Sequence, residues 1–250
     1  MIEREYNHCD INQGKIMIKA QATSVLKKIR KKAAQPKQER TQKRMQMVIE
    51  KTQELLLAVG IEQISIPEIA NAAGIPRTSI YQFFPTKYDL LRHIALLHLN
   101  VLVTRIGQAA IVVLSENPQS SIEEYGKKLS ASMIRTTADF FNESEVASLI
   151  ILSGPFTRQA YMEYQVELKK VSAGVRKALE MIQVDSYVPQ QPDALTILME
   201  LVFTCMKHGY YTENYISEAI IQEAYRIAIS YLFSLKNNDF VLAVDLPPSH

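Results

Sequence analysis

Between residues 76 and 88 the sequence gathers Arg77, Thr78, Ser79 and Gln82 around one aliphatic residue, Ile80, with Lys87 a short step further on. The group holds no base poised to activate a serine and no metal-ligand set. What these side chains share is hydrogen-bonding capacity at the spacing of one short helix. A guanidinium fork matches the edge of guanine bidentately, and a carboxamide matches adenine. Arg77 can therefore reach guanine, or a phosphate if it stands at a helix start, and Gln82 can pair with adenine. Thr78 and Ser79 are short enough to touch a thymine methyl or a phosphate oxygen. Lys87, near the start of a following helix, would add a cation to that helix's own N–H donors, a common phosphate site. Ser65 offers a further hydroxyl. Arg40, Thr41, Lys43 and Arg44, at the start of an earlier helix, could reach the flanking backbone. The chemistry is recognition of a nucleic-acid duplex; for each residue taken singly, the alternative is a solvated surface side chain.

The elements that must position these residues are written in turn and cap signals. Ser65 with Glu68 three residues on has the form of a capping box, and Pro67 falls in the first turn, where its missing N–H costs little. Ala70 is small enough to let a second helix cross closely. Gly74 supplies the positive φ that stops the helix, and Pro76 pushes Ile75 into an extended conformation and is pre-set for the next helix. Ile80 and Phe84 then face the same small core as Ile66 and Ile69. Two helices at about 66–73 and 77–83, with Ala70, Gly74 and Ile80 at these spacings, make a helix-turn-helix, whose second helix enters the major groove.

The run Gly-Ile-Pro-Arg-Thr-Ser-Ile-Tyr-Gln-Phe-Phe-Pro-Thr-Lys-Tyr-Asp-Leu-Leu (74–91) resembles the signature of the tetracycline-repressor-like (TetR/AcrR) family of bacterial regulators. Tyr81, the Phe84-Pro85 step, Lys87 and the Leu90-Leu91 pair fall where the family pattern puts them, as does an upstream helix ending in Ala58-Val59-Gly60. The likeness covers roughly residues 41–101. Pro76 departs from it: the family often has Ser or Thr there, so the side-chain cap of the recognition helix is missing. The resemblance implies an all-α chain, with an N-terminal three-helix helix-turn-helix domain followed by a C-terminal helical ligand-binding and dimerisation bundle. It implies that Tyr81 binds backbone phosphate or packs on sugar. It further implies a homodimer on a palindromic operator, paired through the last two helices, and release by a small-molecule effector through the fourth helix, which both domains share. A bacterial cytoplasmic, nucleoid-associated location goes with this, and no cofactor or metal.

The chain divides on this reading into a basic N-terminal extension (1–37), the DNA-binding domain (38–101), a ligand-binding and dimerisation domain (102–236) and a tail (237–250). Helix-period apolar stripes and caps predict further helices at about 38–59, closed by Gly60, and from Thr86 to about 107. Others are expected at 121–142 behind a Ser121–Glu124 capping box, at 145–153, at 157–183 with Gly174 a weak point, and at 193–209 and 215–235. A loop spans 188–192, and Val241 to Val244 could form a short extended stretch. One stripe (Leu195, Leu198, Met199, Val202, Met206) and another (Ile216, Ile220, Ala224, Ile227, Tyr231, beside Ala219 and Ala228) could build a four-helix dimer interface, or equally face their own core. Met133, Thr137, Phe140, Phe141, Phe156, Tyr161, Met199 and Phe203 are the candidate ligand-binding residues: apolar or aromatic with a few hydroxyls, suited to a hydrophobic ligand or to ordinary core.

Charge and composition bound the alternatives. The net charge of +2 conceals an asymmetry: residues 1–44 carry twelve Lys or Arg against four acidic residues, a net of +8, and the remainder a net of −6. Such an arm, densest at Lys27, Lys28, Arg30, Lys31 and Lys32, can neutralise phosphates and release counterions, or be a solvated tail. An architectural protein that binds DNA without small-molecule control is the competing reading. Cys9 and Cys205 are too few for a disulfide framework, no signal peptide opens the chain, and the apolar runs near 94–103 and 146–156 are too short to span a bilayer. His93 and His98 stand five apart rather than four, and no His-Glu-x-x-His, phosphate-binding glycine loop or nucleophile elbow occurs, so no enzyme is expected.

Overall fold

The computed structural model describes residues 36–116, 121–154, 157–181 and 188–236. The N-terminal arm, Phe156 and the stretch 241–244 lie outside the described residues. Nine helices are seen among them: α1 (Pro36–Gln63), α2 (Ile66–Ala73), α3 (Arg77–Tyr81), α4 (Lys87–Glu116), α5 (Ile122–Glu143), α6 (Glu145–Ile151), α7 (Arg158–Met181), α8 (Ala194–Glu213) and α9 (Glu218–Lys236). Extended pairing among the described residues is limited to a single bridge between Gln190 and Asp193. Residues 1–48 and 49–250 form separate units, with α1 beginning in the first and ending in the second.

Short polar signals set the helix ends. Gly60, at φ 80° and ψ 171°, interrupts α1 where the sequence places its stop, and one further turn follows. Ser121 Oγ accepts from the Glu124 N–H at 3.2 Å, and Ser144 Oγ from Ala147 at 3.3 Å, so α5 and α6 each start on a serine cap. Asn214 ends α8 in the left-handed region at φ 55°. The turn into α9 is held by Asn142 of α5, whose amide donates to the Ile216 carbonyl at 3.0 Å and accepts from the Ile216 N–H at 2.8 Å. α8 and α9 approach so closely that a Cβ on Gly209 would meet Ile220 at 3.0 Å.

α4 is a central element of unit 49–250. It contacts α5, α6 and α7, and Leu90, Leu91, Ile94, Leu99, Leu102 and Ile106 are buried along it. It runs nine residues beyond the expected end near 107, straight through Gly107. At 30 residues it is long and apolar enough, by length and composition, to cross a membrane, against the expectation that no apolar segment reaches that size. α7 likewise continues through Gly174 without a break, and α3 is shorter than expected, ending at Tyr81. A polar cluster joins α7 to α8. Asp193 accepts from Ser172 at 2.9 Å and from Thr196 at 2.6 Å, while Arg176 donates to the Val188 carbonyl at 2.9 Å. Burial pushes the Asp193 carboxyl up, but the bonds from Thr196 and Ser172, with Arg176 alongside, outweigh it and hold the group below its ordinary value.

The apolar stripes of α8 and α9 face mainly their own core. Leu195, Val202, Met206, Ile216, Ala224 and Ala228 are buried, and Leu198, Met199 and Ile220 pack against the same clusters. What α8 and α9 turn outward is a different set, with Leu201, Tyr211, Ile227 and Phe233 exposed.

Candidate nucleic-acid interface and ligand cavity

The turn between α2 and α3 is built as its residues dictate. Ser65 caps α2: its oxygen accepts from the Glu68 N–H at 3.4 Å and its hydroxyl donates to the Glu68 carboxylate at 2.8 Å. Gly74 sits in the left-handed region at φ 64° and ψ 30°, and the Ile75 N–H returns to the Ala70 carbonyl at 3.0 Å, closing a Schellman-type end. A Cβ on Gly74 would meet nothing within 4 Å, so glycine is demanded by the backbone angle, not by space. Pro76, at φ −56° and ψ 135°, opens α3 with no side-chain cap.

Packing then sorts the side chains of α3. Ile80 is 2 % exposed, and Ile66, Ile69, Ala70 and Phe84 are buried with it. Around that one anchored residue Arg77, Thr78, Tyr81 and Gln82 are exposed and Ser79 is half-buried. Arg77 has no acidic partner among the described residues, which leaves its five donors for solvent or a ligand. Phe83 and Tyr88 are each as exposed as Tyr81, at 46 %. The sequence reading had no place for these two: an exposed aromatic looks like a core aromatic until its helix register is known. Arg40, Lys43 and Arg44 are exposed and Thr41 half-buried.

Lys87 is engaged within the chain. Its ammonium donates to the carbonyls of Ile61, Glu62 and Ile64 at 3.0, 3.1 and 3.2 Å. These belong to the last turn of α1 and the residue just beyond it, where carbonyls lack intrahelical partners. All three ammonium donors are thus directed at the chain itself, and the residue ties the end of α1 to the start of α4 rather than offering a free cation to phosphate. Ser65 is engaged in the same sense, since its hydroxyl is committed to Glu68. The start of α4 is closed by a reciprocal cap: the Thr86 N–H donates to Asp89 at 3.0 Å and the Asp89 N–H to Thr86 Oγ1 at 3.2 Å. Further along, the imidazoles of His93 and His98 have pKa values lowered by burial. His93 lies 5.4 Å from the Phe84 ring centre, and His98 Nε2 is 3.0 Å from the Gln53 side-chain oxygen.

A cavity opens between α4, α5, α7, α8 and α9, with about 870 Å3 of empty space, part of it open to solvent. Leu99, Leu102, Val103 and Ile106 of α4 form one wall, and Leu129, Met133 and Thr137 of α5 a second. Leu168, Val171 and Val175 of α7 and Leu198, Met199, Val202 and Phe203 of α8 complete it. Of the expected ligand-binding residues, Met133, Thr137, Met199 and Phe203 come together here. Phe140 and Phe141 are buried in the adjoining core, with Phe141 edge-on to Phe203 at 5.7 Å. Tyr161 is exposed on α7 and donates to Glu200 at 3.0 Å, away from the cavity lining.

A second, smaller cleft lies between the start of α4, the end of α6 and the start of α7, lined by Tyr88, Asp89, Arg92, Ile151 and Tyr164 among others. Arg92 pairs with Asp89 one turn earlier on α4 at 3.2 Å and with Glu163 of α7 at 3.2 Å. Tyr164 packs on Phe203 at 6.2 Å, so one aromatic contact separates the cleft from the cavity.

Comparison with known proteins places this geometry. Residues 48–94 match the family described as bacterial regulatory proteins, tetR family. The fold is similar to three solved structures assigned to TetR-family transcriptional regulators. For one from Mesorhizobium loti the TM-score is 0.53 at 16 % identity, with 80 % of this chain and 98 % of that one covered. For one from Syntrophomonas wolfei the values are 0.52, 14 %, 82 % and 99 %. For one from Streptomyces coelicolor they are 0.51, 16 %, 77 % and 97 %. No curated protein sequence matches the chain. The helix-turn-helix lies inside the matched segment, so the likeness to the tetR family of bacterial regulatory proteins is carried by residues 48–94, and the fold of the whole chain is similar to that of the three solved structures.

Proposed function

We propose that the chain is a repressor that binds a palindromic operator as a homodimer in the bacterial cytoplasm and is released by a small hydrophobic ligand. The observation that carries this reading is the sorting of α3, where Ile80 is anchored and Arg77, Thr78, Tyr81 and Gln82 are left exposed. In this reading Arg77 and Gln82 read base edges, while Thr78, Ser79 and Tyr81 hold the backbone. Arg40, Thr41, Lys43 and Arg44 contact flanking phosphates. One such module buries too little surface for high specificity, and two recognition helices about 34–36 Å apart would match one helical turn of an operator. The outward residues Leu201, Tyr211, Ile227 and Phe233 of α8 and α9 suit the pairing surface. The cavity supports the effector, because α4 walls it with its middle turns and follows the recognition helix at its start.

The test is binding of the purified protein to duplex from upstream of its own gene, against random duplex. Arg77→Ala is expected to weaken specific binding by roughly 1–3 kcal/mol and to relax the preference for operator. An unchanged ratio of affinities would remove Arg77 from base reading. The net +8 of residues 1–44 favours an architectural role as the second reading. That role predicts equal affinity for operator and random duplex, with a steep salt dependence in both.

A further inference from the structure

The cavity lining is selective in what it leaves out. Among the described residues no Asp, Glu, Lys, Arg or His lines it, and its only side-chain hydroxyls belong to Ser130 and Thr137. The Thr137 hydroxyl donates its proton to the Met133 carbonyl at 2.8 Å, which leaves it only lone pairs to offer a guest. Lys127, next in sequence to the lining Gly126, has its ammonium on Glu123 at 2.6 Å. An ion entering this space would lose its hydration without gaining a counter-charge, which is strongly unfavourable in an apolar surround. The walls are also nearly all aliphatic. Phe203 is the one aromatic ring among them, so a planar aromatic guest would find little to stack on.

We infer that this cavity takes an uncharged, largely aliphatic ligand whose polar group, if it has one, is a neutral hydrogen-bond donor such as an alcohol. The inference rests on the effector reading above and narrows its chemistry. It separates three molecules of equal chain length: decan-1-ol fits, while decanoate and decylammonium do not. The residues that discriminate are the aliphatic walls, with Thr137 as the acceptor for the hydroxyl.

The experiment is calorimetric titration of the full-length protein at neutral pH with decan-1-ol, decanoate and decylammonium. Decan-1-ol is expected to bind at least about 100-fold more tightly than either ion. Val202→Phe, which fills the cavity, is expected to abolish its binding. If that variant does not fold, Thr137→Val removes the acceptor at nearly constant volume and should cut the affinity for decan-1-ol by roughly tenfold. Decanoate binding as tightly as the alcohol, and lost on filling the cavity, would overturn the exclusion of charge while leaving a cavity-bound effector in place. No binding of any of the three, or binding indifferent to both variants, would overturn the assignment of the cavity. Decan-1-ol that binds as expected yet leaves operator occupancy unchanged would uphold the ligand class and sink the release mechanism instead.

Discussion

In the helix-turn-helix, Ile80 is buried and the polar residues Arg77, Thr78, Tyr81 and Gln82 are turned outward. In the helical body the arrangement inverts, with apolar residues of five helices turned inward around empty space. On the proposed reading the first region would make its specificity from a few fixed hydrogen-bonding groups on a short element, and the second from shape and from the exclusion of charge. A surface that reads base edges must hold donors and acceptors in register, so its backbone is pinned at both ends by Gly74, Pro76 and the Thr86–Asp89 cap. A cavity for an apolar guest needs no such registration, and helix-to-helix packing suffices to define it.

Variants can break this contrast, and the largest effect is expected at Ile80. Ile80→Ala should cost about 2–5 kcal/mol of stability, because it is the one fully buried side chain of α3. Duplex binding should be lost while the cavity still takes its apolar probe; loss of both together would mean that the two regions fold as one cooperative unit. Lys87→Met comes next, at about 1–3 kcal/mol, since it leaves three carbonyls without their donor. The log–log salt slope of duplex binding should stay the same, whereas a phosphate contact at Lys87 would lower it by about one.

A smaller effect should follow pH. Burial lowers the pKa of both His93 and His98 below the ordinary 6.5, so the folded state favours their neutral forms. The unfolded chain then binds more protons between the folded and unfolded values. Stability is therefore complete above pH 6.5 and falls as the pH drops through 6.5 toward the folded pKa values. Melting curves on the acid side should steepen this loss for the wild type and soften it for His98→Gln. The smallest change is expected for Glu163→Gln, which removes one partner of a partly exposed Arg92 and should cost less than about 1 kcal/mol of stability. Its effect should appear instead in the linkage between cavity occupancy and duplex affinity; unchanged linkage would exclude the Arg92 pair from communication between the regions.

The module that faces DNA was readable because its instructions are local. Ser65 with Glu68, Gly74, Pro76 and Thr86 with Asp89 each act within a few residues, and each does in the fold what its spacing indicates. The intrachain bonds of Lys87 were not legible because its partners lie 23 to 26 residues upstream and are main-chain carbonyls, which carry no side-chain signature. α4 outran its expected end near 107 because Gly107 does not interrupt it. In the fold nothing stands within 4 Å of where its Cβ would be, and a glycine inside a helix costs only about 1 kcal/mol against alanine. The cavity was legible only in part, as Met133, Thr137, Met199 and Phe203. Leucines and valines that wall a hole have the same types and periodicity as those that fill a core. The inward turn of the α8 and α9 stripes was undecidable for the same reason.

The uninterrupted span of α4 has a mechanical consequence. Thirty residues at 1.5 Å each make a rod of about 45 Å, which starts five residues past the recognition helix. A tilt of about 10° about its middle, where Leu99 to Ile106 wall the cavity, would carry the near end through about 4 Å, by the geometry of that length. A hydrogen bond to a base edge does not survive a shift of that size. Under the proposed release mechanism, such a gain in displacement would let an aliphatic guest dislodge a side chain from a groove that it never touches.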